Sequence, residues 1–249
     1  MKQNYKFTIA YDGTRYFGWE HQPNTDLTIQ GKIETVLTRM VNSPNIIEVI
    51  CSGRTDAGVH AKAMVANAFL DTKMSPDEIQ DYMNHYLPDD ICIKEVRPAG
   101  ERFHARYNAT GKTYCYTCYA GKQKPVFDRK YVTVLEQMPN LDRMKEAATH
   151  LMGEHDFASF CSNPKMKKST VRTVDSITIS QKGPYIYFTY HGNGFLQHMV
   201  RILTGTLIEV GLNKRTPESI PELITAKNRS LAGFTAPAQG LCLIQVDYN

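Results

Sequence analysis

Gly53-Arg54-Thr55-Asp56-Ala57-Gly58-Val59-His60-Ala61 places one carboxylate between two glycines, directly after the apolar run Ile46, Ile47, Val49 and Ile50. The run reads as a strand over 46–51, and the next strand, 63–70, follows the loop. Glycine admits backbone angles that a side chain forbids, so an Asp on such a turn can be aimed off the sheet into open space. Arg54, two residues before it, and His60, four after, supply cationic and polarisable neighbours. Two readings stay open at this point: an Asp that does chemistry on an anionic polymer, and a tight turn in which Asp56 bonds its own backbone.

Outward from this loop the pattern mixes strands and helices. Residues 6–11 alternate and end at the turn Asp12-Gly13, and residues 18–23 read as a loop. Ile29, Ile33, Val36, Leu37 and Met40 repeat at helical spacing. Ser75-Pro76-Asp77-Glu78 carries a cap, a proline at the first helical position and a glutamate at the third, which predicts a helix ending near Pro88. Strands are predicted over 91–96 and 113–119. In the second half, Asn140 caps a helix that Gly153 closes, and strands over 171–180 and 185–191 pair across Lys182-Gly183-Pro184. A long apolar helix spans 195–210, a short one starts at Thr216-Pro217-Glu218, and the last strand is 241–246. Hairpins without a steady βαβ rhythm indicate an α+β chain with much antiparallel sheet. The expected boundary gives an N-terminal half, 1–110, carrying the Asp56 loop, and a C-terminal half, 111–249, with a cleft between them.

The 249 residues suffice for one large domain or two smaller ones. Net charge is only +4, so composition alone does not announce a nucleic-acid binder. Its distribution says more. Arg102, Arg106 and Lys112 form one basic cluster, and Lys165, Lys167, Lys168 and Arg172 another; both suit phosphates, and both suit a solvated face. Six scattered cysteines fit reduced thiols better than a disulfide framework. Cys115 and Cys118 have CxxC spacing, but on a strand residues three apart face opposite sides, so no metal site is expected there. No apolar run reaches membrane-spanning length and the N-terminus has no apolar signal core; a cytoplasmic protein is expected.

Three features can act with Asp56. Tyr114 and Tyr116 share one face of a strand, and an exposed ring on a sheet is a platform for a nucleobase. Core packing is the other reading, preferred for Tyr116 and open for Tyr114. Arg201 sits on a narrow polar strip of a mostly apolar helix, with Gly205 one turn on; a half-buried Arg needs a carboxylate or phosphate partner, and Asp56 is a candidate. The loop 233–240 is fit to line a pocket. No phosphate loop, dinucleotide fingerprint, nucleophilic triad or metal cluster is legible, which favours chemistry that one carboxylate runs alone.

Several spaced motifs in order carry a resemblance over nearly the whole chain. They are Tyr11-Asp12-Gly13, Phe17-Gly18-Trp19 with Gln22, residues 53–61, Arg102-Phe103-His104-Ala105 with Lys112 and Tyr114, Phe195-Leu196-Gln197-His198-Met199-Val200-Arg201 with Gly205, and Ala236-Pro237-Ala238-Gln239-Gly240-Leu241. Together they resemble the tRNA pseudouridine synthase A family. The resemblance implies the pseudouridine synthase fold: two α/β halves, each on an antiparallel sheet of RNA-recognition-motif-like topology with helices packed on it, and a central cleft. It implies isomerisation of uridine to pseudouridine in the tRNA anticodon stem-loop, at positions 38, 39 and 40, by a homodimer using no cofactor and no metal. The family's catalytic aspartate falls on Asp56, its stacking tyrosine on Tyr114, its aspartate-pairing arginine on Arg201, and an arginine that helps flip the target nucleotide on Arg54. A non-catalytic RNA-binding or RNA-chaperone protein on the same scaffold is the alternative, and the intact Asp/Tyr/Arg set argues against it.

Overall fold

The computed structural model describes residues 2–163, 166 and 168–249; Lys165 and Lys167 of the second basic cluster lie outside the described residues. The fold is α+β and divides into two compact units, Met1–Thr110 with Leu243–Asn249, and Gly111–Cys242. The chain leaves the first unit at Thr110 and returns to it at Leu243, so the C-terminal residues group with the first unit rather than with the second half of the sequence.

The first unit begins with β1 (Gln3–Tyr11), α1 (Ile29–Met40), the short β2 (Ile50–Cys51), β3 (His60–Leu70), α2 (Pro76–Tyr86) and β4 (Ile91–Pro98). The sheet runs β4-β1-β3, with β2 on the far edge of β3 and every pairing antiparallel. With one helix in each crossover, this is the RNA-recognition-motif-like arrangement that the motifs imply. Tyr5, Phe7, Ile9 and Tyr11 alternate inward along β1 and are buried, as are Ile33 and Leu37 of α1 and Ile79 and Met83 of α2. The capping box forms as read: Glu78 N–H donates to Ser75 Oγ at 3.3 Å and Ser75 N–H to Glu78 Oε2 at 2.7 Å.

Two strand expectations change here. Only Ile50 and Cys51 join the ladder, not 46–51. The reason lies in α1, whose side chains take the donors of that run: Ile47 N–H bonds Thr38 Oγ1 at 2.9 Å and Val49 N–H bonds Glu34 Oε1 at 2.8 Å. Conversely β3 begins at His60, three residues earlier than expected, so the loop's histidine is the first residue of a strand.

The second unit holds β5 (Ala109–Tyr119), β6 (Thr133–Val134), α3 (Leu141–Thr149), β7 (Gly153–Asp156), β8 (Val171–Lys182), β9 (Tyr185–Gly192), α4 (Met199–Gly211) and α5 (Ile220–Ala226). Its strands order as β5-β9-β8-β7, antiparallel throughout, with β6 added parallel to β5. Asn140 Oδ1 caps α3 by accepting from Asp142 N–H and Arg143 N–H. Met144, Ala147 and Ala148 of α3 and Met199, Ile202 and Leu203 of α4 are buried. The last strand, β10 (Leu241–Tyr248), lies beside β3. The expected helix over 195–210 starts only at Met199. His198 stands in the left-handed region (φ 60°, ψ 5°), which stops the helix from extending back to Phe195. Phe195 is thereby released from the apolar stripe of α4.

Candidate active site

The loop between β2 and β3 is fastened to the segment after β1. Tyr11 Oη and Thr55 Oγ1 share a hydrogen bond of 2.8 Å, with Thr55 buried. Trp19 N–H donates to Thr55 O at 3.1 Å, Gly58 N–H to Tyr16 O at 3.2 Å, and Val59 N–H to Asp56 O at 3.1 Å. Gly18 (φ 96°) brings its backbone so near that a Cβ there would meet Thr55 O at 2.7 Å. At Gly13 a Cβ would lie 2.0 Å from Val59 O. Of the two glycines flanking Asp56, Gly58 (φ 78°) is the one that uses left-handed backbone. Trp19, 1% exposed, packs beneath, its ring 6.0 Å from that of Tyr11. Asp56 is half-buried on this fixed turn.

His60 ties the same turn from the other side. Gly13 N–H donates to its Nδ1 at 3.0 Å, and Asp12 Oδ1 stands 3.2 Å from that nitrogen. A backbone N–H can only donate, so Nδ1 contributes its lone pair here. Asp12 Oδ1 in turn accepts from Thr14 N–H at 2.9 Å and from Thr14 Oγ1 at 2.5 Å. Arg54 is exposed and pairs with Glu20 at 3.0 Å, with both side chains half in water or more. An exposed pair of this kind contributes about 0–1 kcal/mol, so Arg54 can exchange Glu20 for another anion at little cost.

In the second unit, Tyr114 on β5 is 8% exposed and meets Phe195 edge-on, with ring centroids 5.4 Å apart at 87°. The residue that the left-handed His198 frees from α4 therefore packs against the tyrosine. Tyr116 is wholly buried; its Oη bonds Thr133 Oγ1 at 2.5 Å and donates to Pro237 O at 2.8 Å, which fits the core role read for it. Burial pushes the Tyr116 phenol well above its ordinary pKa. Arg201 exchanges two bonds with one residue: its Nε donates to Ala236 O at 2.7 Å and its own carbonyl accepts from Ala236 N–H at 3.1 Å. The loop reaches α4 because Gly205 leaves room; a Cβ there would lie 1.9 Å from Phe234 O. Gly233 N–H also donates to Thr206 Oγ1 at 3.0 Å. The loop read as a pocket lining thus buttresses Arg201 and sets the plane of its guanidinium.

The structure brings Arg54 and Asp56 together on one loop of the first unit, and carries Tyr114 and Arg201 on β5 and α4 of the second. Cys115 is half-buried and Cys118 fully buried, as strand alternation requires of residues three apart. Tyr11, Thr55, Trp19 and His60, which hold the aspartate loop, were not singled out for that work by spacing. The signals were a Tyr-Asp-Gly turn and the lone tryptophan of the chain. Among the described residues no helix is long and apolar enough to cross a membrane.

A sequence profile of tRNA pseudouridine synthases matches residues 8–108 and 147–249. The chain belongs to the tRNA pseudouridine synthase A family. It is therefore an enzyme of the isomerase class. The tRNA pseudouridine synthase A of Bacillus sp. (strain KSM-64) is 46% identical over 245 residues, covering 98% of this chain and 99% of that one. The tRNA pseudouridine synthase A 2 of Bacillus anthracis is 44% identical with the same coverage, and that of Clostridium perfringens (strain 13 / Type A) is 41% identical over 246 residues, covering 99% and 100%. A solved Cbf5-Nop10-Gar1 complex overlays at a TM-score of 0.38 and 10% identity, covering 96% of this chain and 49% of that one, too slight a likeness to build on. Arg54, Asp56 and Arg201 lie inside the matched segments, whereas Tyr114 falls between them.

Proposed function

We propose that this isomerase converts uridine to pseudouridine in the tRNA anticodon stem-loop, at positions 38, 39 and 40, with Asp56 as the nucleophile. The observation that carries the reading is the fastening of the Asp56 turn by Tyr11, Trp19 and His60, which holds a single half-buried carboxylate in place. The reaction breaks the N1–C1′ bond, turns the base and joins C5 to C1′; N1 gains a proton and C5 loses one, so composition is unchanged and no water is consumed. A carboxylate that adds to C1′ or to the ring keeps the fragments together until they rejoin, then leaves. The uridine has to come out of the stack to be reached.

The assigned supporting roles follow the chemistry of each group. Arg54, held only by an exposed pair with Glu20, is assigned to trade that carboxylate for a phosphate of the extruded nucleotide. Tyr114, buried against Phe195 rather than exposed as a ready platform, is assigned the flipped base on the condition that the packing around its ring opens when RNA binds. Arg201, its plane set by Ala236, is assigned the aspartate-pairing role that the family resemblance implies. The chain is proposed to work as a cytoplasmic homodimer on tRNA, with no cofactor and no metal.

The test is Asp56→Ala, assayed by mapping pseudouridines in tRNA after incubation with each protein. Pseudouridine formation is expected to fall below detection, a loss of at least about a thousandfold, while tRNA affinity stays within about threefold. Wild-type turnover in the variant would refute the assignment.

A further inference from the structure

Between β5 and β6 the second unit presents a turn that the chemistry above does not use. Lys122-Gln123-Lys124-Pro125-Val126-Phe127-Asp128-Arg129-Lys130-Tyr131 holds four cations against one carboxylate. Phe127 is 92% exposed and Val126 57%. Phe is among the residue types most often buried, so a ring left almost wholly in water invites a reason.

The turn is built to hold that ring out. Arg129 Nη1 donates to Val126 O at 2.5 Å, Tyr131 N–H to Asp128 O at 2.8 Å, and Tyr185 Oη to Asp128 Oδ2 at 2.6 Å. Ala120 N–H donates to Pro184 O at 2.8 Å, which ties the start of the segment to the β8–β9 hairpin. Asp128, the one acid, is therefore engaged by Tyr185, while Lys122 and Lys124 are exposed. The segment also lies between the two stretches that the family profile matches.

We propose that this turn is an accessory RNA-contact surface, in which Phe127 stacks on an unpaired base and the flanking cations meet phosphates. An exposed ring beside several cations is the chemistry that grips single-stranded RNA without reading its sequence. A second copy of the chain is the less suited occupant, because lysine is depleted from the cores of protein interfaces. The proposal rests on tRNA being the substrate, and it gives the turn no part in the isomerisation itself.

Binding of unmodified tRNA is measured by fluorescence anisotropy at several salt concentrations, with mass by sedimentation. The proteins are wild type, Phe127→Ala and the double variant Lys122→Glu/Lys124→Glu. Phe127→Ala is expected to raise Kd about tenfold at unchanged mass. The double variant is expected to flatten the slope of log Kd against log salt by about 1.5, two phosphate contacts' worth. Unchanged Kd and slope in both variants would overturn the proposal. So would a loss of mass at unchanged Kd, which would assign the turn to a contact between copies. Because binding is read without turnover, a wild-type protein that binds tRNA yet forms no pseudouridine refutes the proposed function, and these variants still decide the surface.

Discussion

Gly13→Ala tests whether the turn after β1 holds the Asp56 loop in place. A Cβ at residue 13 would lie 2.0 Å from Val59 O and 2.7 Å from its carbonyl carbon, both backbone atoms with no rotamer to escape into. Ordinary contact begins near 3.4 Å, so the two segments must part by roughly 1.4 Å. Either the Asp12–Gly13 turn lifts, stretching the 3.0 Å bond to His60 Nδ1 beyond reach, or Val59 retreats and takes the aspartate turn with it. Overpacking of this kind costs about 1–3 kcal/mol, and leaving the buried Gly13 N–H without its acceptor costs about 1–3 kcal/mol. The two overlap, and we expect a total of about 2–4 kcal/mol. A catalytic group displaced by about 1 Å forfeits on the order of a hundredfold in rate. The assay pairs urea unfolding with single-turnover release of label from C5 of uridine in tRNA. Gly100→Ala is the control, because a Cβ there meets nothing within 4 Å; it is expected to stay within about 0.5 kcal/mol of wild type, or to gain slightly. If Gly13→Ala unfolds within about 0.5 kcal/mol of wild type and keeps its single-turnover rate, the fastening does not position the loop.

Further expectations concern other groups. Tyr114→Phe keeps the ring that meets Phe195 and is expected to hold kcat and KM within about threefold, whereas Tyr114→Ala loses at least about tenfold in kcat/KM; equal collapse of both would move the role from the ring to the hydroxyl. Burial pushes the Cys118 thiol up to about 12, so at about pH 8 iodoacetamide is expected to label exposed Cys92 at least about tenfold faster than Cys118 in the native protein, read by mass spectrometry. Equal rates would contradict the buried placement. Hydrogen bonds from Lys227 and Thr170 hold the Asp156 carboxyl below the usual aspartate range. A lowered folded pKa adds stability that is complete above the unfolded value, near about pH 4, and is lost as pH falls through the folded one. Urea midpoints should therefore drop below about pH 4, and less so in Asp156→Asn; parallel curves would remove Asp156 from the account.

Local signals carried most of the fold. The cap and proline at 75–78 stand in one short segment, and the α2 they announce needs nothing from elsewhere. The run 46–49 misled because alternation cannot show that its N–H groups are taken by Thr38 and Glu34 across the loop. The start of α4 misled because the apolar spacing of residues 195–198 carries no sign of the left-handed turn at His198. In the site, Asp56 stood out through its glycines, and only Gly58 turned out to need the freedom. Arg201 was legible as a cation in want of an acceptor. One acceptor is the carbonyl of Ala236, and a backbone oxygen leaves no mark in a sequence.

The return of Leu243–Asn249 to the first unit has a consequence for the order of events at the ribosome. All of Gly111–Cys242 must be translated before the strand that lies beside β3 is available, which at typical synthesis rates is a wait of roughly ten seconds. Until then the far edge of β3 carries only the two residues of β2, an open edge on a nascent chain. Gly111–Cys242 is contiguous in sequence, so it is synthesised whole before the first unit receives its last residues, Leu243–Asn249.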